Sequence, residues 1–390
     1  MASATPGQLD ELREVVREVY GRGALDQSIA LQQNVIAMAR EIDALLPDDF
    51  LFFGLMLYGR RRLGDGIAAL REGVERFPDN APVHENLGVL LLGAGDPAGA
   101  IVEANRAIEL GSESPNVYDC LCDAYAQIGR IDEAGTAGRA ALEAKDRIFG
   151  ARKALASIPH GLPQPFNALN PSENIIAYCL WGGDHRYLMP LLENARIQPH
   201  LFPGWTMRLY HDATVPQDFL VLLVNSGVQF VEKSLPPDVP EHRKLLWRFD
   251  VIADPSVRRF LIRDADSLLS LKERAAVDAW LQSRYYFHAM RDWFSHTDLL
   301  LAGMWGGVGN ILPPTETLME SYTAWRVENN HVDQDLLSET VWPTIRDHCL
   351  IHDSVFTGCL GSVAFPPFLW QPSGNHIGQN AFLHDKRREA

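Results

Sequence analysis

Asp264 and Asp266 stand two residues apart at the end of the apolar run Val257 to Ile262. In an extended segment residues i and i+2 point to the same side, so the two carboxylates share a face. A doubly negative pair of hard oxygens suits Mg²⁺ or Mn²⁺. A cation held there can bridge a diphosphate and stabilise it as a leaving group. An Asp-X-Asp triplet arises often by chance, and its setting is what gives this one weight. An apolar strand delivers it, Ser267 follows it, and a helix is expected over Lys272 to Gln282.

Three more clusters carry chemically useful side chains. His288-Ala289-Met290-Arg291-Asp292 ends an expected strand, and an Arg-Asp pair there offers both donors and acceptors. Gly303-Met304-Trp305-Gly306-Gly307 is glycine-rich, which lets backbone approach a ligand closely. Asp333-Gln334-Asp335-Leu336-Leu337 places two further carboxylates downstream. No phosphate-binding Gly-X-X-X-X-Gly-Lys loop, His-Glu-X-X-His zinc helix or Gly-X-Ser-X-Gly elbow occurs.

The elements that must position these residues alternate in type. Asn174 to Leu180 is a short apolar run, followed by a helix over Arg186 to Ala195 and a strand over Trp205 to Tyr210. A helix at Pro216 to Val224, a strand at Val228 to Val231 and a helix at His242 to Ala253 precede the strand that ends at the triplet. Tyr285 to Ala289 reads as one more strand. Such alternation predicts an α/β, Rossmann-like domain with mostly parallel strands, over residues 173–390. Ligands bind beyond the carboxyl ends of strands in such sheets, and the triplet lies at such an end.

Residues 1–155 have a different texture. Gly54, Gly88 and Cys122 are spaced by 34, as are Leu57, Leu91 and Tyr125. The same period relates Gly66, Ala100 and Ala134, and also Gly73, Ala107 and Ala141. Small residues recurring where helices cross at this period resemble tetratricopeptide repeats, here three of them over about Pro47 to Asp146 with an N-terminal cap. The resemblance implies an all-α solenoid whose concave face either holds a partner or only packs. Five prolines or glycines between Ser157 and Ser172 predict a linker over residues 156–172.

The Asp-X-Asp at a strand end, with Asp-Gln-Asp-X-Leu after it, resembles the GT-A class of nucleotide-sugar glycosyltransferases. Asp333 to Leu337 is similar to the motif of the retaining, glycogenin-like and galactosyltransferase-like members. The resemblance implies transfer of a sugar from a nucleotide-diphosphate donor, with Mn²⁺ or Mg²⁺ on Asp264 and Asp266. It implies a nucleotide contact from Tyr178, Leu180 and Trp181 at the first strand. Lys244, Trp247 and Arg248 are the matching candidates on the helix before the triplet. Arg291, Asp292, Gly303 and Trp305 would line the donor. Asp333 and Asp335 are the reaction-centre candidates, with Asp335 expected to face the site. A general base on the acceptor and a group orienting a retained sugar are both open roles. The class often adds a C-terminal histidine to the metal, and His352 and His376 are the two candidates.

Composition narrows the rest. The 390 residues carry 50 acidic against 35 basic side chains, a formal charge of -15. That balance argues against a nucleic-acid partner. The acceptor expected is a glycan, a lipid-linked oligosaccharide or a protein, with the repeats available to hold it. The five cysteines match no zinc or redox spacing and are expected to be buried thiols in a reducing compartment. No signal core or transmembrane run is read, so a cytoplasmic location is expected. A metal-dependent phosphohydrolase would want more histidine near Asp264. The competing reading is a scaffold, with partner-binding repeats and a degenerate transferase domain.

Overall fold

The computed structural model describes residues 5–237, 239–322, 332–367 and 375–381. It divides into two compact units, Met1–Ala144 and Lys145–Ala390.

The first unit is helical. Its helices are α1 (Pro6–Gly21), α2 (Leu25–Glu41), α3 (Pro47–Gly59), α4 (Leu63–Arg76), α5 (Ala81–Gly93), α6 (Pro97–Glu109) and α7 (Pro115–Gln127). Helix α8 (Ile131–Phe149) begins in it and ends in the second unit. The starts are written locally. Asn80, Asp96 and Ser114 each accept a bond from a backbone amide of the helix that follows, and Pro47, Pro97 and Pro115 occupy the first helical position. Neighbouring helices pack in sequence order. The small residues sit where expected: a Cβ on Gly88 would lie 3.3 Å from the Ala100 carbonyl oxygen and 3.5 Å from the Ala104 nitrogen. Gly73 similarly faces Phe50 and Val83.

The second unit holds one seven-stranded sheet. Its strands are β1 (Asn174–Leu180), β2 (Thr206–His211), β3 (Gln229–Glu232), β4 (Arg259–Ile262), β5 (Phe287–Arg291), β6 (Trp305–Val308) and β7 (Cys349–Asp353), in the order β3-β2-β1-β4-β6-β5-β7. β1 is buried along its whole length, which explains an apolar run with no alternation. All neighbours are parallel except β6, which runs antiparallel to β4 and β5. The glycine-rich block was expected to let backbone approach a ligand closely; its second half is this strand. Gly307 leaves room for the Phe260 and Phe287 rings of the flanking strands, and Gly306 lies against the Phe260 carbonyl and Leu261.

Helices α9 (His185–Leu201), α10 (Gln217–Val224) and α11 (Leu271–Leu281) cover one large apolar cluster that includes Tyr178, Leu180 and Trp280. A 3₁₀ segment, Glu241–Ala253, lies against β1. Helices α12 (Thr315–Ser321), α13 (Val332–Leu336) and α14 (Trp342–Ile345) complete the unit, with a π turn at Leu337–Val341 between the last two.

The expected linker is instead part of the second unit. Phe166 stacks on Trp205 at 5.4 Å, and Asn174 Nδ2 donates to the Asn167 carbonyl at 2.9 Å. Proline excludes helix there but does not prevent packing. The unit starts inside α8 because Lys145 bonds to Asp298 at 2.8 Å and Asp146 accepts from Trp342 Nε1 at 2.7 Å.

The two kinds of helix glycine should separate in a denaturant titration. Gly88→Val forces atoms against the α6 backbone and is expected to cost about 2 kcal/mol by overpacking. Gly64→Ala, in a helix with open space around it, is expected to stabilise by about 0.5 kcal/mol.

Candidate functional site

The chain order of strands makes a switch point at β1. The connection from β1 runs to β2 and β3 on one side, and then returns to place β4 on the other. Crevices beyond the carboxyl ends of strands at such a point are where α/β sheets take ligands. Trp181 follows β1 there, and Arg263-Asp264-Ala265-Asp266 follows β4.

Arg248 occupies the centre. It projects from the 3₁₀ segment, is 2% exposed, and bonds through Nη1 to Asp264 and through Nη2 to Asp333 at 2.7 Å. Nη1 also donates to the Arg263 carbonyl at 3.1 Å. Burial opposes the charge of Arg248, but the pull of Asp264, with Cys179 and Asp333 behind it, holds the guanidinium above its ordinary value. Asp333 is driven the other way: burial raises its carboxyl above the usual range despite Arg248. Two acids therefore compete for one buried cation. Gly303 fits underneath, since a Cβ there would overlap the Asp264 carboxylate.

Asp266 takes different partners. Arg186, at the start of α9, reaches it at 2.8 Å, and Asn380 donates to it at 2.9 Å. Burial, followed by the charge of Asp264, raises the Asp266 carboxyl. On the β1 side, Lys244 Nζ lies 2.7 Å from Asp212 and 2.9 Å from Glu241. It also stands 5.7 Å from the Trp181 ring centre and 5.9 Å from that of Trp247. Trp181, Lys244, Trp247, Arg248, Asp264 and Asp333 are thus joined by direct contacts or a shared segment.

Other sequence-derived candidates lie elsewhere. Tyr178 and Leu180 point into the apolar cluster under α9. Trp305 is fully buried against Phe249 and Phe260, with ring centres 5.9 and 5.2 Å away. Arg291 and Asp292 do not act as a pair: Arg291 bonds to buried Asp353 at 2.8 Å, whereas Asp292 takes Lys272 and the Ile377 amide. Adjacent strand residues face opposite sides, which explains the split. Asp335 touches Tyr322 at 3.4 Å, and it is Asp333 that reaches Arg248. His352 pairs with His288 at 2.8 Å on β7, three strand spacings or about 14 Å from β4. His376 stacks on Trp293 at 5.1 Å, edge-on to His296.

Asp264 and Asp266 therefore stand without a histidine, and no cluster of three or more metal-ligating side chains occurs among the described residues. Two carboxylates still match the donor set of a cation that brings phosphate oxygens with it. Sequence reasoning missed Arg186, Asp212, Lys272 and Asn380. Arg186 and Lys272 each open a helix directly after a site strand, a signal that was present; Asn380 had none at short range.

A tetratricopeptide-repeat family model matches residues 53–115. Within the first unit, these residues are similar to tetratricopeptide repeats. These repeats span helices α3 to α6 in whole or part, in accord with the 34-residue spacing. Solved structures with similarity include MamA of strain AMB-1, at 23% identity over 36% of this chain and 80% of that one, with a TM-score of 0.32. MamA from Desulfovibrio magneticus RS-1 is 14% identical over 36% and 77%, with a TM-score of 0.33. The Thermobaculum terrenum O-GlcNAc transferase is 17% identical over 59% of this chain and 42% of that chain, with a TM-score of 0.39. No curated protein matches the chain. Among the described residues no helix is long and apolar enough to cross a membrane.

Arg248→Met leaves buried Asp333 without its cation, and a loss of about 3 kcal/mol is expected in urea titrations at neutral pH. An acid whose folded pKa is raised weakens the fold above that pKa, so protonating Asp333 relieves it. The deficit of the variant should therefore shrink as pH falls into the carboxylate range.

The histidine pair makes the opposite prediction. Burial and then His352 lower His288 well below 6.5, and burial lowers His352 to about 4. A base with a depressed folded pKa leaves the unfolded chain to take up protons first, so stability falls as pH drops below 6.5 towards 4. The slope expected is on the order of 1 kcal/mol per pH unit for each histidine. Replacing both by Gln should flatten the pH dependence of the urea midpoint.

Proposed function

We propose that this protein is a glycosyltransferase of GT-A type that moves a sugar from a nucleotide-diphosphate donor to a glycan, lipid-linked or protein acceptor. One observation carries the reading. Two motifs far apart in sequence, Asp264-Ala265-Asp266 and Asp333-Gln334-Asp335, meet on a single buried arginine at the switch point of a mixed α/β sheet. A structural ion pair has no need of that location, whereas a donor site does.

On this reading Trp181 and Trp247 flank the nucleotide, with Lys244 between them. Asp264 and Asp266 are the protein ligands of a Mn²⁺ or Mg²⁺ entering with the diphosphate. The ion would neutralise the leaving group. Arg248 holds Asp264 in place from below, and Asp333 is the carboxylate nearest the reacting end. The repeats offer a surface for the acceptor, as such arrays commonly do for partners. The whole chain is assigned to the cytoplasm in this reading.

A specific observation favours the second reading, a partner-binding scaffold with a degenerate transferase domain. Asp264, Asp266, Asp292 and Asp333 are all engaged by arginine or lysine side chains. Calorimetry with a panel of nucleotides and Mn²⁺, followed by hydrolysis assays on nucleotide sugars, separates the two. The transferase is expected to bind one nucleotide with Mn²⁺ and to lose metal-dependent binding and hydrolysis in Asp264→Ala and Asp266→Ala. Absence of nucleotide binding at millimolar ligand, or activity unchanged in both variants, rules it out.

A further inference from the structure

A second cleft opens at the opposite end of the sheet. It has a volume of about 660 Å³ and is lined by residues from the amino ends of β1, β3 and β4 and the carboxyl end of β6. β4 runs from Arg259 in this cleft to Asp264 at the other end, so the two sites are about 16 Å apart. Its volume falls within the range of small-molecule sites.

Three arginines line it: Arg208, Arg258 and Arg259. Two have acids. Arg208 bonds to Asp254 at 2.6 Å, and Arg258 to Glu173 at 3.0 Å. Arg259 is different. It is 5% exposed, it donates to the backbone carbonyls of Arg258 and Gln164, and its guanidinium lies 6.0 Å from the Trp280 ring centre, a weak neutral partner. Among the described residues it forms no ion pair. A guanidinium held away from water normally has an acid beside it, because carbonyl dipoles alone do not balance the charge. Burial lowers the pKa of Arg259 to about 10, the mark of a cation short of negative charge.

The remaining lining is uncharged and polar. Gln164, Asn170, Ser172, Gln229, Ser256 and Asn310 contribute amides and hydroxyls. Its wall is also braced: Asn310, at a positive φ of 62°, donates to the Asp254 and Val257 carbonyls at 2.9 Å each. A braced cleft with one excess cation and many neutral donors matches a ligand with one acidic group and several hydroxyls. Guanidinium groups favour the planar or tetrahedral oxyanions of carboxylates and phosphates.

We propose that this amino-end cleft is a binding site for an acidic, hydroxyl-rich small molecule, a sugar phosphate or a sugar acid, with Arg259 as the counter-charge. The site is separate from the one at Asp264 and does not depend on the function assigned there.

Isothermal calorimetry on the full chain tests it, with glucose 6-phosphate and glucuronate as probes and glucose and inorganic phosphate as comparisons. Saturable binding of one acidic sugar is expected, weaker binding of inorganic phosphate, and none of glucose; which acidic sugar binds identifies the oxyanion. Arg258→Glu reverses a charge on a side chain that is 65% exposed and breaks its pair with Glu173; with circular dichroism confirming the fold, affinity should fall about tenfold or more. Arg259→Met should abolish binding, with circular dichroism reporting whether it folds. Asp264→Ala should leave binding unchanged, which localises it. No saturable binding by either acidic sugar overturns the proposal. So does binding that survives Arg258→Glu unchanged, or that is lost in Asp264→Ala.

Discussion

The placement of one guanidinium between two carboxylates constrains most of the second unit. For Arg248 to reach both Asp264 and Asp333, the 3₁₀ segment must lie across β1 with its side chains turned to the strand ends. Residue 303 must be glycine, because the Asp264 carboxylate takes the space of its Cβ. Helix α13 must bring its first turn to the same point. Each requirement is ordinary alone. Together they explain why a charged cluster survives in an interior where its desolvation is costly.

The charge balance of that cluster bears on what it can receive. Asp264, Asp266 and Asp333 stand against Arg186 and Arg248, and Lys244 is shared between Asp212 and Glu241. Acids outnumber bases on both sides of the switch point. Burial raises the carboxyls of Asp266 and Asp333, and the charge of Asp264 adds to it in both. A diphosphate approaching alone would meet net repulsion, and a divalent cation travelling with it would meet attraction. The proposed donor and its cation are coupled for this reason.

What could be read from the sequence follows the range of the interactions involved. The repeats were legible because helix crossings recur at a fixed spacing and because caps such as Asn80, Asp96 and Ser114 act within a turn. The strands up to β5 were legible from apolar runs. β6 was not, since its glycines mimic a loop until Phe260 and Phe287 are seen beside them. Of the residues that meet at the switch point, Asp264 was legible from the apolar strand before it, whereas Lys244 and Arg248 entered through the resemblance to the GT-A class. Choosing Asp335 over Asp333 failed on the rotation of α13, which no short-range pattern encodes. His352 and Arg291 drew notice as chemistry but are absorbed by His288 and Asp353, partners more than sixty residues distant in the chain.

The two ends of the sheet answer the same physical problem in opposite ways. Both bury an arginine guanidinium beside an end of β4. At the carboxyl end Arg248 has two acids and the surplus is negative; at the amino end Arg259 has none among the described residues and the surplus there is positive. In a medium that screens poorly, either surplus is costly unless something from outside balances it. A chain selected for stability alone would remove each with a single substitution, Asp333 to an amide or Arg259 to an apolar residue. On the proposed readings, ligands of opposite charge would complete the two ends of β4, a cation at Asp264 and an acidic group at the cleft lined by Arg259.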